Sequence, residues 1–174
     1  MRDDKNTYPK QDKGFSLIEL LIVVAIILII AAIAIPNLLR ARMAANESSA
    51  VASIRTINTA QVTYNSAYPT TGFAVGIGNL GGAAGAACVP SSTTACLIDS
   101  VLSNATTVAK AKSGYVFSLL GTATTYWAGT RPATANTTGI RGFCAIQDAV
   151  VRVDPAGSNG TSEAACVVFN PLNQ

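Results

Sequence analysis

The chain has 174 residues, of which 49% are hydrophobic and only 12% are charged, and its net charge is +3. This length suits one globular domain with an additional element, and the weak charge, with no basic cluster beyond Arg40 and Arg42, gives no indication of nucleic-acid binding. The sequence contains no His, the commonest general base and metal ligand, and no nucleophile motif or phosphate-binding loop. We therefore expect neither an enzyme nor a bound cofactor.

The N-terminal region changes character abruptly. Residues 1–14 are polar and carry seven charges, whereas the run from Phe15 to Ile35 is apolar except for Ser16 and Glu19. At about 1.5 Å per residue, a helix of this run is ~31 Å long, which matches the hydrocarbon core of a bilayer. Pro36 ends the run and predicts a helix kink. We expect residues 15–36 to form a hydrophobic, membrane-spanning helical segment.

Residues 37–69 predict an amphipathic continuation of the same helix. Leu38 to Tyr68 contains no Gly or Pro, and its apolar residues recur at helical spacing. The face predicted to be packed consists of Met43, Ala50, Ile54, Ile57, Tyr64 and Tyr68, with Gln61 as its polar member. The face predicted to be exposed consists of Ser48, Ala52, Arg55, Thr59, Thr63 and Ser66. Pro69 and Gly72 predict the end of the helix.

Residues 70–174 predict a globular head with a small antiparallel sheet. The Gly-, Ala-, Ser- and Thr-rich residues 70–96 predict a loop outside the core, and residues 97–112 a short helix that begins near Asp99 or Ser100. The strands are predicted at Tyr115–Leu120, Thr124–Ala128, Arg141–Ile146 and Ala149–Val153, with a last short strand at Ala165–Phe169. This order predicts an α+β fold in which the long N-terminal helix packs on the sheet.

The four cysteines, Cys88, Cys96, Cys144 and Cys166, all lie in the head. None forms a CxxC pair and no His completes a zinc site, so their even number predicts two disulfides and an oxidising compartment outside the cytoplasm. Four cysteines allow three pairings, and the sequence does not decide among them. We favour Cys88–Cys96, which closes a tight loop containing a Pro, and Cys144–Cys166, which fixes the C-terminal tail.

The acidic residues of the head are scattered, and we expect no metal. Asp154 begins the turn-forming sequence DPAGSNG at 154–160, and Glu163 lies three residues after it. Calcium takes oxygen ligands from such loops, so these two carboxylates are a calcium candidate. Acidic residues in turns are more often structural, because their side chains bond the backbone of the turn itself.

The junction at Gly14 carries the most specific motif. The contiguous residues Lys13-Gly14-Phe15-Ser16-Leu17-Ile18-Glu19, followed by the apolar run to Pro36, resemble the processing motif of prepilins in type IV pili and of type II secretion pseudopilins. The resemblance implies that a prepilin peptidase removes residues 1–14 as a leader, by cutting between Gly14 and Phe15, and methylates the new Phe15 amine. It also implies that Glu19 of one subunit neutralises the Phe15 amine of a neighbour. At Pro36 it implies local bending or melting of the helix.

The expected function is that of a major or minor pilin, a structural subunit of a type IV pilus-like filament. The Cys144–Cys166 pair resembles the C-terminal disulfide loop of type IV pilins, which favours this function. The resemblance implies self-assembly into a helical homopolymer, with the prepilin peptidase and an inner-membrane assembly platform as further partners. The precursor and the unassembled subunit are then expected in the inner membrane, and the assembled filament at the cell surface.

Other interpretations stay open at this point. The chain is alternatively a major pseudopilin of a type II secretion system, or a monomeric binding domain tethered to the membrane by its helix. The residues Ala32-Ile33-Ala34 also imitate the cleavage site of an ordinary signal peptide. Two features disfavour that last reading: the apolar run is longer than a typical signal core, and Glu19 has no use in a discarded peptide.

Overall fold

The computed structural model describes residues 14–82, 85, 87–158 and 162–172. The chain divides into two compact units. We call them the N-terminal unit, which ends at Leu38, and the C-terminal unit, residues 39–174. The predicted leader, residues 1–14, lies outside the described residues except for Gly14.

The long helix α1 extends from Leu17 to Ala67 and includes Pro36. Within the C-terminal unit it is amphipathic as predicted, because Ala50, Ile54, Ile57 and Tyr64 are at most 1% exposed. The residues of the predicted outer face, Ser48, Ala52, Arg55, Thr59, Thr63 and Ser66, are all exposed. The helix ends as predicted: the Tyr68 carbonyl accepts the N–H groups of Thr71 and Gly72, and Gly72 has a positive φ of 81°.

The described residues form one five-stranded antiparallel sheet with the strand order β1-β2-β3-β4-β5. Its strands are β1 (Tyr115–Gly121), β2 (Tyr126–Pro132), β3 (Gly142–Ile146), β4 (Arg152–Asp154) and β5 (Asn170–Pro171). Successive strands along the chain are neighbours, so the sheet is a meander. The long helix and this sheet confirm the predicted α+β fold.

The two faces of the sheet bury different side chains. One face packs with α1, through Tyr115, Phe117, Tyr126, Ala128, Phe143 and Ala145. On the other face, Trp127, Cys144 and Ile146 form a second cluster with Cys166. Cys166 belongs to a short helix of residues Glu163–Val167, which we number α4. Alternation of neighbouring residues along each strand produces this division, since successive side chains of a strand point to opposite faces.

The prediction that residues 70–96 lie outside the core is wrong. They contain a short helix, α2 (Ile77–Leu80), and Ala74, Ile77 and Leu80 are at most 4% exposed. The backbone N–H of Leu97 donates to the Leu80 carbonyl at 2.7 Å, which ties this segment to the following one. The small residues around these isolated apolar residues therefore allow close packing in this segment.

The predicted short helix in residues 97–112 is confirmed as α3 (Ser100–Ser103). Its N-cap is Asp99, whose side chain accepts from the Leu102 N–H at 2.9 Å. A single 3-10 turn follows at Val108–Lys110.

Two predicted strands have the wrong bounds. β2 continues beyond Ala128 to Pro132, because Gly129 pairs on both sides, with Ser118 of β1 and Cys144 of β3. β4 begins at Arg152 rather than Ala149, because Ala149 takes a positive φ of 59° in the preceding turn.

The predicted strand at Ala165–Phe169 is wrong as well. Helix α4 occupies most of it, and Ser162 caps this helix by accepting the Ala165 N–H at 3.2 Å. The last strand is β5, which pairs with β4. Local capping and the disulfide at Cys166 therefore override the β propensity of the valines in this segment.

Candidate functional site

The residues of the sequence motif lie at the start of α1 and immediately before it. Gly14, Phe15 and Ser16 precede the helix, which begins at Leu17. The Ser16 N–H donates to Oε2 of Glu19 at 2.9 Å, so the carboxylate binds one of the free N–H groups at the helix N-terminus. The other oxygen, Oε1, has no hydrogen-bond partner among the described residues. Glu19 therefore retains an acceptor for a further donor.

Gly14 has no structural need to be glycine in the described part of the chain. A Cβ built at Gly14 meets no atom within 4 Å. Its backbone also lies outside the helix. The residue is therefore an accessible, non-helical peptide linkage immediately before the apolar segment.

The apolar segment has no covering partner within its own unit. Every large apolar side chain from Leu17 to Leu39 is at least 45% exposed. The helix that contains them has a window with a mean hydropathy of 3.3, of which none is buried. Among the described residues it is the one helix long and apolar enough to cross a membrane. Burying such a side chain stabilises by about 1.5–3 kcal/mol, so the whole segment gains tens of kcal/mol from lipid or neighbouring helices.

Pro36 lies inside α1 and not at its end. Proline has no N–H, so the carbonyl four residues earlier, that of Ala32, lacks its helical donor. The helix nevertheless continues through Pro36. The predicted kink at Pro36 stays a prediction.

In the C-terminal unit, Glu47 of α1 forms a charged contact that the sequence did not reveal. One carboxylate oxygen accepts from the backbone N–H groups of Ile140 and Arg141 at 3.0 and 3.1 Å. The other accepts from Nε and Nη2 of Arg141 at 2.9 and 2.6 Å. Burial of the carboxyl opposes ionisation, but these hydrogen bonds and the guanidinium charge outweigh it and lower the pKa of Glu47. The sequence gave no signal for this contact, because the two residues lie 94 positions apart.

Further polar side chains of α1 fix the loops of the C-terminal unit. Gln61, fully buried, accepts the Ala74 N–H at 2.9 Å and donates to the Ala74 carbonyl at 3.1 Å. The Tyr64 hydroxyl donates to the Ser92 carbonyl at 2.6 Å. Gln61, the polar member of the predicted apolar face, is thus a fully satisfied core residue that holds the segment after the helix.

Asn58 extends this set of contacts to the sheet. The Tyr126 hydroxyl donates to the side-chain Oδ1 of Asn58 at 3.2 Å, and the side-chain Nδ2 of Asn58 donates to the Ala149 carbonyl. Burial raises the pKa of Tyr126 to about 12, so its hydroxyl stays a donor at physiological pH.

Both disulfides have the pairing favoured from the sequence. Cys88 bonds Cys96 and Cys144 bonds Cys166, each with a Cα–Cα distance of 6.0 Å, and no described cysteine is free. The second bond holds α4 against the sheet face that buries Trp127. The indole N–H of Trp127 has no hydrogen-bond partner among the described residues. This sheet face is therefore closed by the disulfide and by apolar contact.

The two calcium candidates are engaged separately. Asp154 is buried and accepts the N–H groups of Ala156 and Ser158 at 2.9 and 2.7 Å. Glu163 accepts from the Gln147 amide at 2.8 Å. Within the described residues, no group of three or more His, Cys, Asp or Glu side chains comes together. Asp154 therefore stabilises its own turn by these hydrogen bonds. The observed contacts of Asp154 and Glu163 do not support the calcium candidate.

The N-terminal segment of this chain is similar to that of known proteins. Residues 9–35 match the family described as the prokaryotic N-terminal methylation motif. Over 36 residues, 21% of this chain, the sequence is 69% identical to the type IV wide pilus major component PilA4 of Thermus thermophilus and covers 28% of that protein. Over 54 residues, 31% of this chain, it is 46% identical to the type IV major pilin protein PilA of Myxococcus xanthus and covers 24% of that protein.

The chain thus matches about a quarter of the length of these curated relatives. No solved structure matches it significantly. The resemblance of the N-terminal segment to type IV pilins is confirmed, and the family match spans Gly14, Phe15 and Glu19. Both relatives are named as pilus components.

Proposed function

We propose that this chain, whose N-terminal segment is that of type IV pilins, is a pilin: a structural subunit of a pilus-like filament. The observation that carries the proposal is the methylation motif at residues 9–35, whose apolar helical segment is exposed along its length in the described structure. A soluble monomer does not tolerate such a segment. Lipid covers it before assembly, and the helices of neighbouring subunits cover it in the filament.

Processing between Gly14 and Phe15 fits the local structure. A peptidase needs an accessible peptide bond outside a helix, and residues 14–16 provide one directly before Leu17. Cleavage turns the Phe15 nitrogen into an ammonium group, and N-methylation preserves its positive charge. The prepilin peptidase is the enzyme that this motif implies.

Glu19 is the partner of that new charge in our proposal. Its Oε2 binds the N–H of its own Ser16, whereas Oε1 has no partner in the described part of the chain. An uncompensated carboxylate inside a membrane or a dry filament core is costly, roughly 2–3 kcal/mol at mid-membrane. Pairing Glu19 with the Phe15 ammonium of a neighbour removes this cost for both charges. A subunit inserted out of register leaves both unpaired, so the pair sets the register.

The disulfides favour a head that folds outside the cytoplasm. Two bonded pairs in one small unit are typical of an oxidising compartment. The precursor then sits in the inner membrane with its head on the outer side, and an assembly platform extracts it into a surface filament. Self-association through the apolar segment provides the polymer contact.

Variants at Glu19 test this proposal. We expect Glu19→Ala and Glu19→Gln to retain cleavage of the leader but to lower the yield of sheared filaments at least about tenfold, since they remove the charge partner. Ile22→Ala is the matched control, because it shortens a side chain of the same segment without changing a charge. The measured quantities are the ratio of mature to precursor chain and the filament yield. A normal filament yield from both Glu19 variants would overturn the proposed register role.

A further inference from the structure

Among the described residues of the C-terminal unit, one partly exposed carboxylate, that of Glu163, forms no ion pair. Its ion pairs are Glu47–Arg141, Asp99–Lys112 and Asp148–Arg152. Asp154 is held by its own turn. Glu163 is partly exposed, and among the described residues it accepts a hydrogen bond from the neutral Gln147 but has no ion pair. It is therefore the available acidic group for an external cationic partner.

A groove beside α1 offers such a cation together with apolar walls. Two adjoining cavities of about 370 and 290 Å³ share Arg55 and Leu172. We call them together the Arg55 groove; its apolar lining includes Val51, Phe143 and Val150. Arg55 is exposed and has no acidic partner in the described part of the chain. The groove therefore suits a segment that combines a carboxylate with short apolar side chains.

Helix α4 has this combination on its outer side. Glu163 begins the helix, and the neighbouring Val167 and Val168 are 53% and 76% exposed. The Cys144–Cys166 disulfide holds the helix in place, so little conformational freedom is lost when it docks. Phe143 lines the groove on one face of β3, whereas Cys144 anchors α4 on the opposite face. The groove and α4 therefore lie on opposite faces of the sheet at β3.

We propose that α4 and Val168 of one copy dock in the Arg55 groove of the next copy, with Glu163 paired to Arg55. The contact joins two different surfaces of identical chains. Such heterologous contacts produce open helical filaments when the rotation does not close a ring. The proposal rests on the proposed filament function and adds a contact between heads to the contact of the apolar segments.

A cross-link locates the contact directly. All four described cysteines are paired, so an added pair of thiols reports proximity. We expect Ala52→Cys combined with Val167→Cys to give a reducible ladder of multimers in sheared filaments, because Ala52 lines the groove and is exposed. Ala52→Cys with Val75→Cys is the control pair, since Val75 is 59% exposed and lies outside the groove. A ladder from Ala52→Cys with Ile30→Cys instead would show an apolar helix in the groove and overturn the proposal.

Charge reversal tests the ion pair. We expect Arg55→Glu and Glu163→Arg each to lower filament yield about fivefold, and the double variant to recover most of the yield. Lys110→Glu is the matched control, because Lys110 is exposed but lines a separate cavity. Normal yield from Arg55→Glu, or no recovery in the double variant, would refute the contact. Filaments of the Ala52→Cys, Val167→Cys variant that lack the cross-link would refute this contact alone, whereas an absence of wild-type filaments would refute the proposed function itself.

Discussion

The contact of Glu47 with Arg141 makes a quantitative prediction for the stability of the C-terminal unit. The Glu47 side chain is 10% exposed and accepts two backbone and two guanidinium hydrogen bonds. Glu47→Ala leaves two backbone N–H groups without acceptors, so we expect a loss of about 3 kcal/mol in the free energy of unfolding. Glu47→Gln keeps one oxygen for these N–H groups and loses mainly the ion pair. Since Arg141 is half-exposed, we expect Glu47→Gln to lower the free energy of unfolding by only about 1–2 kcal/mol.

The same contact predicts a dependence on pH. The folded state lowers the pKa of Glu47 from its ordinary value of 4.5, so ionisation stabilises the fold above that pH. This stabilisation is lost as the pH falls below about 4.5 and through the folded pKa. Asp99 and Asp148 also have lowered pKa values and add to the acid destabilisation. The difference between wild type and Glu47→Gln isolates the share of Glu47, and it should shrink as the pH falls.

Fluorescence provides the assay. The chain has one Trp, Trp127, which is 7% exposed on the sheet face opposite α1, so its emission reports unfolding of the C-terminal unit. Denaturant unfolding of the mature chain in detergent, at pH 7 and at stepped lower pH, gives the free energies. An unfolding free energy of Glu47→Ala within about 0.5 kcal/mol of wild type, or a Glu47→Gln difference that does not change with pH, would refute the stabilising role of this contact.

Three further predictions concern processing, the second disulfide and the buried glutamine. Gly14→Trp should leave full-length precursor in the membrane, as blotting for the two chain lengths will show; efficient maturation would contradict the cleavage site. Replacing Cys144 and Cys166 together by Ser should cost about 3 kcal/mol in unfolding free energy, and an unchanged denaturation midpoint would refute a stabilising role. Gln61→Leu should cost about 2 kcal/mol and expose the chain around Ala74 to limited proteolysis, because both backbone groups of Ala74 lose their partners; unchanged cleavage kinetics would contradict that role.

Strong periodic signals made part of the fold predictable. The amphipathic part of α1 follows from apolar residues at helical spacing, and its end follows from Pro69 and Gly72. β3 was predicted within one residue, since five consecutive buried residues at Gly142–Ile146 form a recognisable apolar run. These elements agree with their local propensity, which is why the sequence reveals them.

Other elements depend on contacts that are distant in sequence. The strand predicted to end at Ala128 continues through Gly129, because neighbours on both sides pair with Gly129. The sequence of residues 165–169 predicts a strand. The Ser162 cap and the disulfide at Cys166 instead favour the helix α4 over most of this segment. The cleavage motif was readable because it is contiguous, whereas the contact of Glu47 with Arg141 joins residues 94 apart.

The central claim, a pilin processed at Gly14 and exported as a filament, is tested most directly by the intact mass and N-terminal sequence of protein sheared from the cell surface. The account predicts a chain that begins with N-methylated Phe15. With both disulfides formed, it is four hydrogens lighter than the fully reduced chain. A chain that begins at Ile35 or at Met1 would contradict the account.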